Sequence, residues 1–182
     1  MIEVLRIGDL RGFDLPNGRK GHVLAFDLRD LLPLVTDEGS LLYWAAIPMG
    51  EGTEILGRGP RDEEAYALGA KVDATEKGVP LDWEDLNDLT SSILQTVWGT
   101  FVAFRDPTSF AEIPSLFNDD WRYLDRASVR FYDLVEIAFQ AVDSAYWLVW
   151  AKHEVVRERI RGAFAAVETI PGESFYRPNG SA

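Results

Sequence analysis

Apolar and polar positions alternate most sharply between Val129 and Ala151. From Val129 to Ala141 one parity carries Phe131, Val135, Ile137, Phe139 and Ala141, and the other carries Tyr132, Leu134, Glu136, Ala138 and Gln140. Successive side chains of a strand point to opposite faces, so this stretch predicts a strand with one apolar and one mixed face. Asp143 and Ser144 follow, and their side chains can accept hydrogen bonds from nearby amides and favour a reversal. The return strand, Ala145 to Ala151, sets Tyr146, Leu148 and Trp150 against Trp147 and Val149; large side chains on both faces place it inside the sheet. After Lys152 the period lengthens. Val156, Ile160, Ala163, Phe164 and Val167 recur at three and four residues, with Arg157, Glu158, Arg159 and Arg161 mostly opposite, which predicts an amphipathic helix packed on the sheet. Pro171-Gly172 ends it, and the tail 172–182, with Pro178-Asn179-Gly180-Ser181, is expected to be loose.

Earlier segments give weaker patterns of the same kinds. Ile2 to Ile7 reads as a first strand, and Asn17-Gly18 as the tip of a hairpin with arms Phe13 to Leu15 and His22 to Phe26. Asp27 can cap a short helix that Pro33 limits, and Leu41 to Ile47 forms a strand containing Tyr43 and Trp44. From Pro48 to Pro80 six glycines and Pro60 interrupt any long pattern, leaving an irregular segment with two helical turns over Arg61 to Leu68. Such a long connection is either a solvated loop or a binding surface. Asp82 is the natural cap of a helix whose apolar face carries Trp83, Leu86, Leu89 and Ile93. Val97 to Phe104 is a further strand. Ser109 to Asp125, with Asp119 and Asp120, reads as a loop with short helical turns, held to the body by Phe110, Phe117, Trp121 and Tyr123. Strands in adjacent pairs with helices between groups predict an α+β fold: one domain over 1–182, a mainly antiparallel sheet with helices packed against it.

Composition narrows the functional classes. No run approaches the roughly 20 apolar residues that cross a bilayer, and Met1 to Arg6 lacks the pattern of a secretion signal; no membrane partner and a cytoplasmic location are expected. The absence of cysteine removes disulfides, thiol nucleophiles and thiolate metal sites. A net charge of −12 argues against direct nucleic-acid binding, which draws on clustered Lys and Arg. His153-Glu154-Val155-Val156-Arg157 begins like a zinc protease helix, but Arg157 stands where the second histidine must be. His22 lacks a recognised Ser or Asp partner, and neither phosphate-loop spacing nor a nucleophile elbow occurs. No catalytic residue, metal or cofactor is assigned.

One chemical feature has a direction. Between Asp62 and Asp88 nine carboxylates stand against two lysines, a local charge of −7. Part of this complements the positive end of a helix dipole, and a charge run is commonly just a solvated face. Seven of the nine form a candidate partner-binding set: Asp62, Glu63, Glu64, Asp82, Glu84, Asp85 and Asp88. A field of that sign speeds encounter with a basic protein.

The strand ending at the Asp143-Ser144 turn, Tyr146-Trp147 on the returning strand, and the helix ending near Phe164 together resemble the C-terminal part of several immunity proteins of bacterial polymorphic toxin systems. The resemblance spans about a fifth of the chain and carries no functional motif. It implies a small acidic cytoplasmic protein that binds and blocks a cognate toxin, often a nuclease with a basic groove. Both lines lead to a non-enzymatic acidic inhibitor that occludes a basic toxin's active site. The alternatives are a small-ligand module or hydrolase with a carboxylate and aromatic pocket, and a structural or assembly subunit marked by an apolar surface patch.

Overall fold

Ten strands and six α-helices follow one another in a computed structural model that describes residues 2–14, 18–50, 52–117 and 122–172. The expected hairpin tip at Asn17, the anchor Trp121, the acids Asp119 and Asp120 and the tail beyond Gly172 lie outside the described residues. The strands are β1 (Glu3–Ile7), β2 (Leu10–Asp14), β3 (Lys20–Leu24), β4 (Tyr43–Ile47), β5 (Glu54–Gly57), β6 (Val79–Leu81), β7 (Ile93–Phe104), β8 (Val135–Val142), β9 (Tyr146–Ala151) and β10 (Val167–Pro171). The helices are α1 (Leu28–Leu31), α2 (Thr36–Gly39), α3 (Asp62–Asp73), α4 (Trp83–Ser92), α5 (Val129–Leu134) and α6 (Glu154–Ala163).

Eight strands make one sheet in the order β10-β1-β9-β8-β7-β4-β6, with β5 pairing the first half of β7, and every pairing is antiparallel. The fold is the expected single α+β domain. β8 and β9 sit inside the sheet, and all eight residues of β8 are buried. Layers cover both faces. On one, Ile137, Phe139, Trp147, Val149 and Trp44 pack under residues of α1, α3, α4 and α6. On the other, Val102, Phe104, Ala138, Leu148 and Trp150 pack under α5 and the short helical turns Pro107–Ser115 and Leu124–Arg126.

The mixed face of β8 explains its polar residues. Gln140 is fully buried, donates to the Thr100 hydroxyl and the Arg122 carbonyl, and accepts from the Leu124 amide. An unpaired buried amide costs about 1–3 kcal/mol, so this side chain ties the outer turn of 124–126 to the sheet. Asp27 acts similarly on the opposite face. It caps α1 through the Leu28 amide, in a capping box with Asp30, and accepts from both the amide and hydroxyl of Thr96 on β7.

Four expectations are corrected. Val129 to Leu134 is the helix α5 rather than the start of a strand, because Ser128 caps it through the Phe131 amide, and Phe131 and Tyr132 are both buried under the sheet. The stretch from Pro48 to Pro80 is largely regular, holding β5, the three-turn α3 and β6. Its glycines mark close approaches: at Gly78, where φ is +85°, a Cβ would meet the Ala46 carbonyl at 2.2 Å, and at Gly69 it would meet the Thr53 carbonyl at 2.9 Å. β7 starts at Ile93, four residues earlier than expected. Helix α6 stops at Ala163, so Val167 opens the edge strand β10 instead of continuing the helix.

Burial pushes the Asp27 carboxyl above its ordinary 3.8, against the hydrogen bonds from Thr96 and Leu28 that favour its ionised form. The folded state therefore holds this proton more tightly than the unfolded chain, and the stability linked to it is complete below 3.8 and lost as pH rises through the folded value. Urea unfolding between about pH 4 and about pH 7 should show wild type losing stability with rising pH relative to D27N. Parallel pH curves for the two proteins would contradict that role.

Candidate functional site

The predicted carboxylates gather at the β6 edge of the sheet, where α3 and α4 pack beside each other. β6 is a three-residue edge strand with Pro80 at its centre, a composition that blunts strand-to-strand pairing. Trp83, the first residue of α4, packs its ring 5.9 Å from that of Trp44 on β4. Trp44 in turn stacks on Phe139, at 5.8 Å, and donates to the Gly39 carbonyl. The first turn of α4 is thereby fixed against the sheet while its acids face water.

Each predicted residue has a distinct situation. Asp82 is the N-cap of α4 and accepts from the Asp85 amide at 2.7 Å. Glu84 and Asp85 are exposed in the first turn, and neither forms an ion pair among the described residues. Glu64 is paired in bidentate fashion with Arg61, at 2.8 and 2.7 Å, and this guanidinium holds its carboxyl below the usual range. Arg61 also reaches Asp88, at 4.0 Å. Asp62 is half-buried at the start of α3, and Glu63 is exposed beside it.

Three shallow clefts surround β6. Glu64, Asp85 and Asp88 line one of about 200 Å³ with Arg61. Asp82 and Glu84 line another of about 550 Å³ with Leu42, Tyr43 and Trp83. The third, about 140 Å³, is walled by Tyr43, Pro80, Phe104 and Phe110. Leu81 borders all three. Five of the seven predicted carboxylates thus converge, whereas Asp62 and Glu63 line none of these clefts. Sequence reasoning missed the apolar centre at Leu81 and Tyr43, the latter 54% exposed, and the available signal was the Tyr43-Trp44 pair on β4. It also missed Arg61, the cation that partly offsets the cluster.

Other polar groups are accounted for differently. Burial pushes Glu136 up, but hydrogen bonds from Arg105 and Lys152 outweigh it and leave the carboxyl below its ordinary range. His153 lies 3.6 Å from Glu136, and Glu154 pairs with Arg157 and Arg161, so the protease-like pentapeptide forms an ion-pair network. No group of three His, Asp or Glu placed to hold a metal occurs among the described residues, and no described helix is long and apolar enough to cross a membrane. At the opposite end of the sheet, Arg6 stacks on the Tyr146 ring at 4.3 Å beside a cleft of about 370 Å³ that Tyr123 and Asp125 also line. Burial raises the Tyr146 phenol above its ordinary value.

Compared with known proteins, the chain matches no family model, no curated protein and no solved structure.

The geometry separates a structural carboxylate from outward-facing ones. Loss of a cap costs about 1 kcal/mol, so Asp82→Ala should destabilise by about that amount in chemical denaturation. Glu84→Ala and Asp85→Ala should each stay under about 0.5 kcal/mol. Equal losses at all three positions would show that the exposed acids serve the fold.

Proposed function

We propose that this chain is a non-enzymatic acidic binding protein, an immunity-type inhibitor that neutralises a basic toxin by occluding its active site with the face around β6. The observation that carries the reading is the convergence of Glu64, Asp82, Glu84, Asp85 and Asp88 on clefts whose shared centre is Leu81, flanked by Tyr43 and Trp83. An apolar and aromatic centre with a charged rim suits a protein interface, where desolvated aromatic anchors supply most of the affinity. The carboxylates take the place of phosphates before the lysines and arginines of a nuclease groove. Such inhibition needs shape and charge, with neither nucleophile nor cofactor.

A second reading, a small-ligand module, is favoured by the Arg6–Tyr146 cleft, where two tyrosines and the Asp125 carboxylate stand together. It places function at the far end of the sheet and gives the acidic face no role.

The test uses a basic protein retained from the native host at low salt, with its affinity measured by calorimetry. Reversal of the three exposed acids of α4 (E84K/D85K/D88K) should weaken binding at least about 100-fold and flatten its salt dependence. Unchanged affinity in a variant with unchanged circular dichroism would contradict the proposal.

A further inference from the structure

The two-stranded ribbon of β2 and β3 has no place in that reading. It pairs with no strand of the main sheet, and every residue of β2 is exposed. Its root is held firmly: the Asp9 carboxylate accepts from the Ala165 and Ala166 amides, and the Ala25 amide donates to the Asp9 carbonyl. Beyond the root the register sets Arg11 opposite Val23 and Phe13 opposite Gly21, so these four residues share a face. The Phe13 ring covers Gly21, where a Cβ would come within 2.4 Å of it. The ring is thus a preformed apolar surface, and it remains 43% exposed. An isolated hairpin of this length is marginal in water. It gains from a surface that covers Phe13.

Charge points to the surface. Residues 10–24 hold Arg11, Arg19 and Lys20 against the single acid Asp14, a local charge of +2 in a chain of −12; Lys20 is ion-paired with Asp14 on the opposite face of the ribbon, and Arg11 is the strand cation that shares the face of Phe13. Residues 62–88 hold −7. The acids Glu84 and Asp85 border an open cleft system whose walls are Leu42, Tyr43 and Trp83. That chemistry matches an aromatic ring with an arginine on the same face.

We propose that the arm formed by β2 and β3 of one copy docks on the β6 face of a second copy, Phe13 against the apolar centre and Arg11, on the same face of the ribbon, against the acidic rim. The inference rests on the reading of that face as a protein-docking surface and adds its regulation. Self-association covers the face, and a more basic partner displaces the arm. Because arm and face are different surfaces, the contact is head-to-tail and builds closed rings or open chains rather than a two-fold pair of identical patches.

Sedimentation equilibrium of the full chain tests this. The weight-average mass of wild type should rise with concentration at about 0.05 M salt and fall towards the monomer at about 0.5 M. R11E and F13S should each weaken association at least about tenfold with the main thermal transition unchanged. R11E replaces an exposed side chain and leaves the Lys20–Asp14 ion pair of the arm in place, so it stands if F13S unfolds the arm. Mixing R11E with E84K/D85K should restore association that neither shows alone. A monomer at every concentration, or association unaffected by both arm variants, would overturn the inference. The two proposals fail separately: basic-partner binding that survives in a chain showing no self-association removes only the arm. Arm-dependent association without binding to any basic protein removes only the inhibitor.

Discussion

The contact of Trp83 with Trp44 couples the acidic edge of the molecule to its core. Trp44 lies 2% exposed between Phe139 and Trp83, and Gly39 makes the arrangement possible, since a Cβ there would meet the Trp83 ring at 2.9 Å and the Trp44 ring at 3.2 Å. The end of α2, strand β4 and the first turn of α4 meet in this one contact. Aromatic burial of this size outweighs the mild self-repulsion of a few exposed carboxylates, so the fold tolerates acids stacked at the start of α4. Their position beside β6 is a consequence of core packing.

Much of the fold was legible because both periods are strong where the core is densest. The β8–β9 hairpin, the Asp143-Ser144 reversal and α6 all follow from alternation and three-to-four spacing, and Asp27 and Asp82 cap helices as their chemistry suggests. α5 was misread because six residues make fewer than two helical turns, and over that length Phe131 and Tyr132 fit either period; the Ser128 cap was the distinguishing mark. In the stretch from Pro48 to Pro80, glycine reads locally as punctuation. Gly69 and Gly78 instead let α3 and β6 approach neighbouring backbone, a use that no local pattern separates from a break.

The candidate site was legible by charge and illegible by shape. Counting carboxylates along the chain found the acidic segment, and the helical register of α4 put Asp85 and Asp88 on its outer side. The convergence of Tyr43, Leu81 and Trp83 depends on the pairing of β4 with β6 across nearly forty residues, which linear order does not disclose. Electrostatics elsewhere point inward: Glu38 with Arg159 and Glu136 with Arg105 and Lys152 fasten elements to one another. Their carboxyls, held below 4.5, add stability that is present above that value and fades as pH falls through the folded pKa. Asp27 runs the other way, so acid weakens these fastenings while relieving the buried cap.

Amide hydrogen exchange with and without a bound basic partner tests the central claim most directly, because it reports which surface the partner covers without altering a residue. Occlusion by the acidic face predicts new protection over residues 40–43, β6 and the first two turns of α4, with the β1–β10 end unchanged. Protection confined to Arg6, Tyr146 and β10, with the β6 edge still exchanging freely, would contradict it.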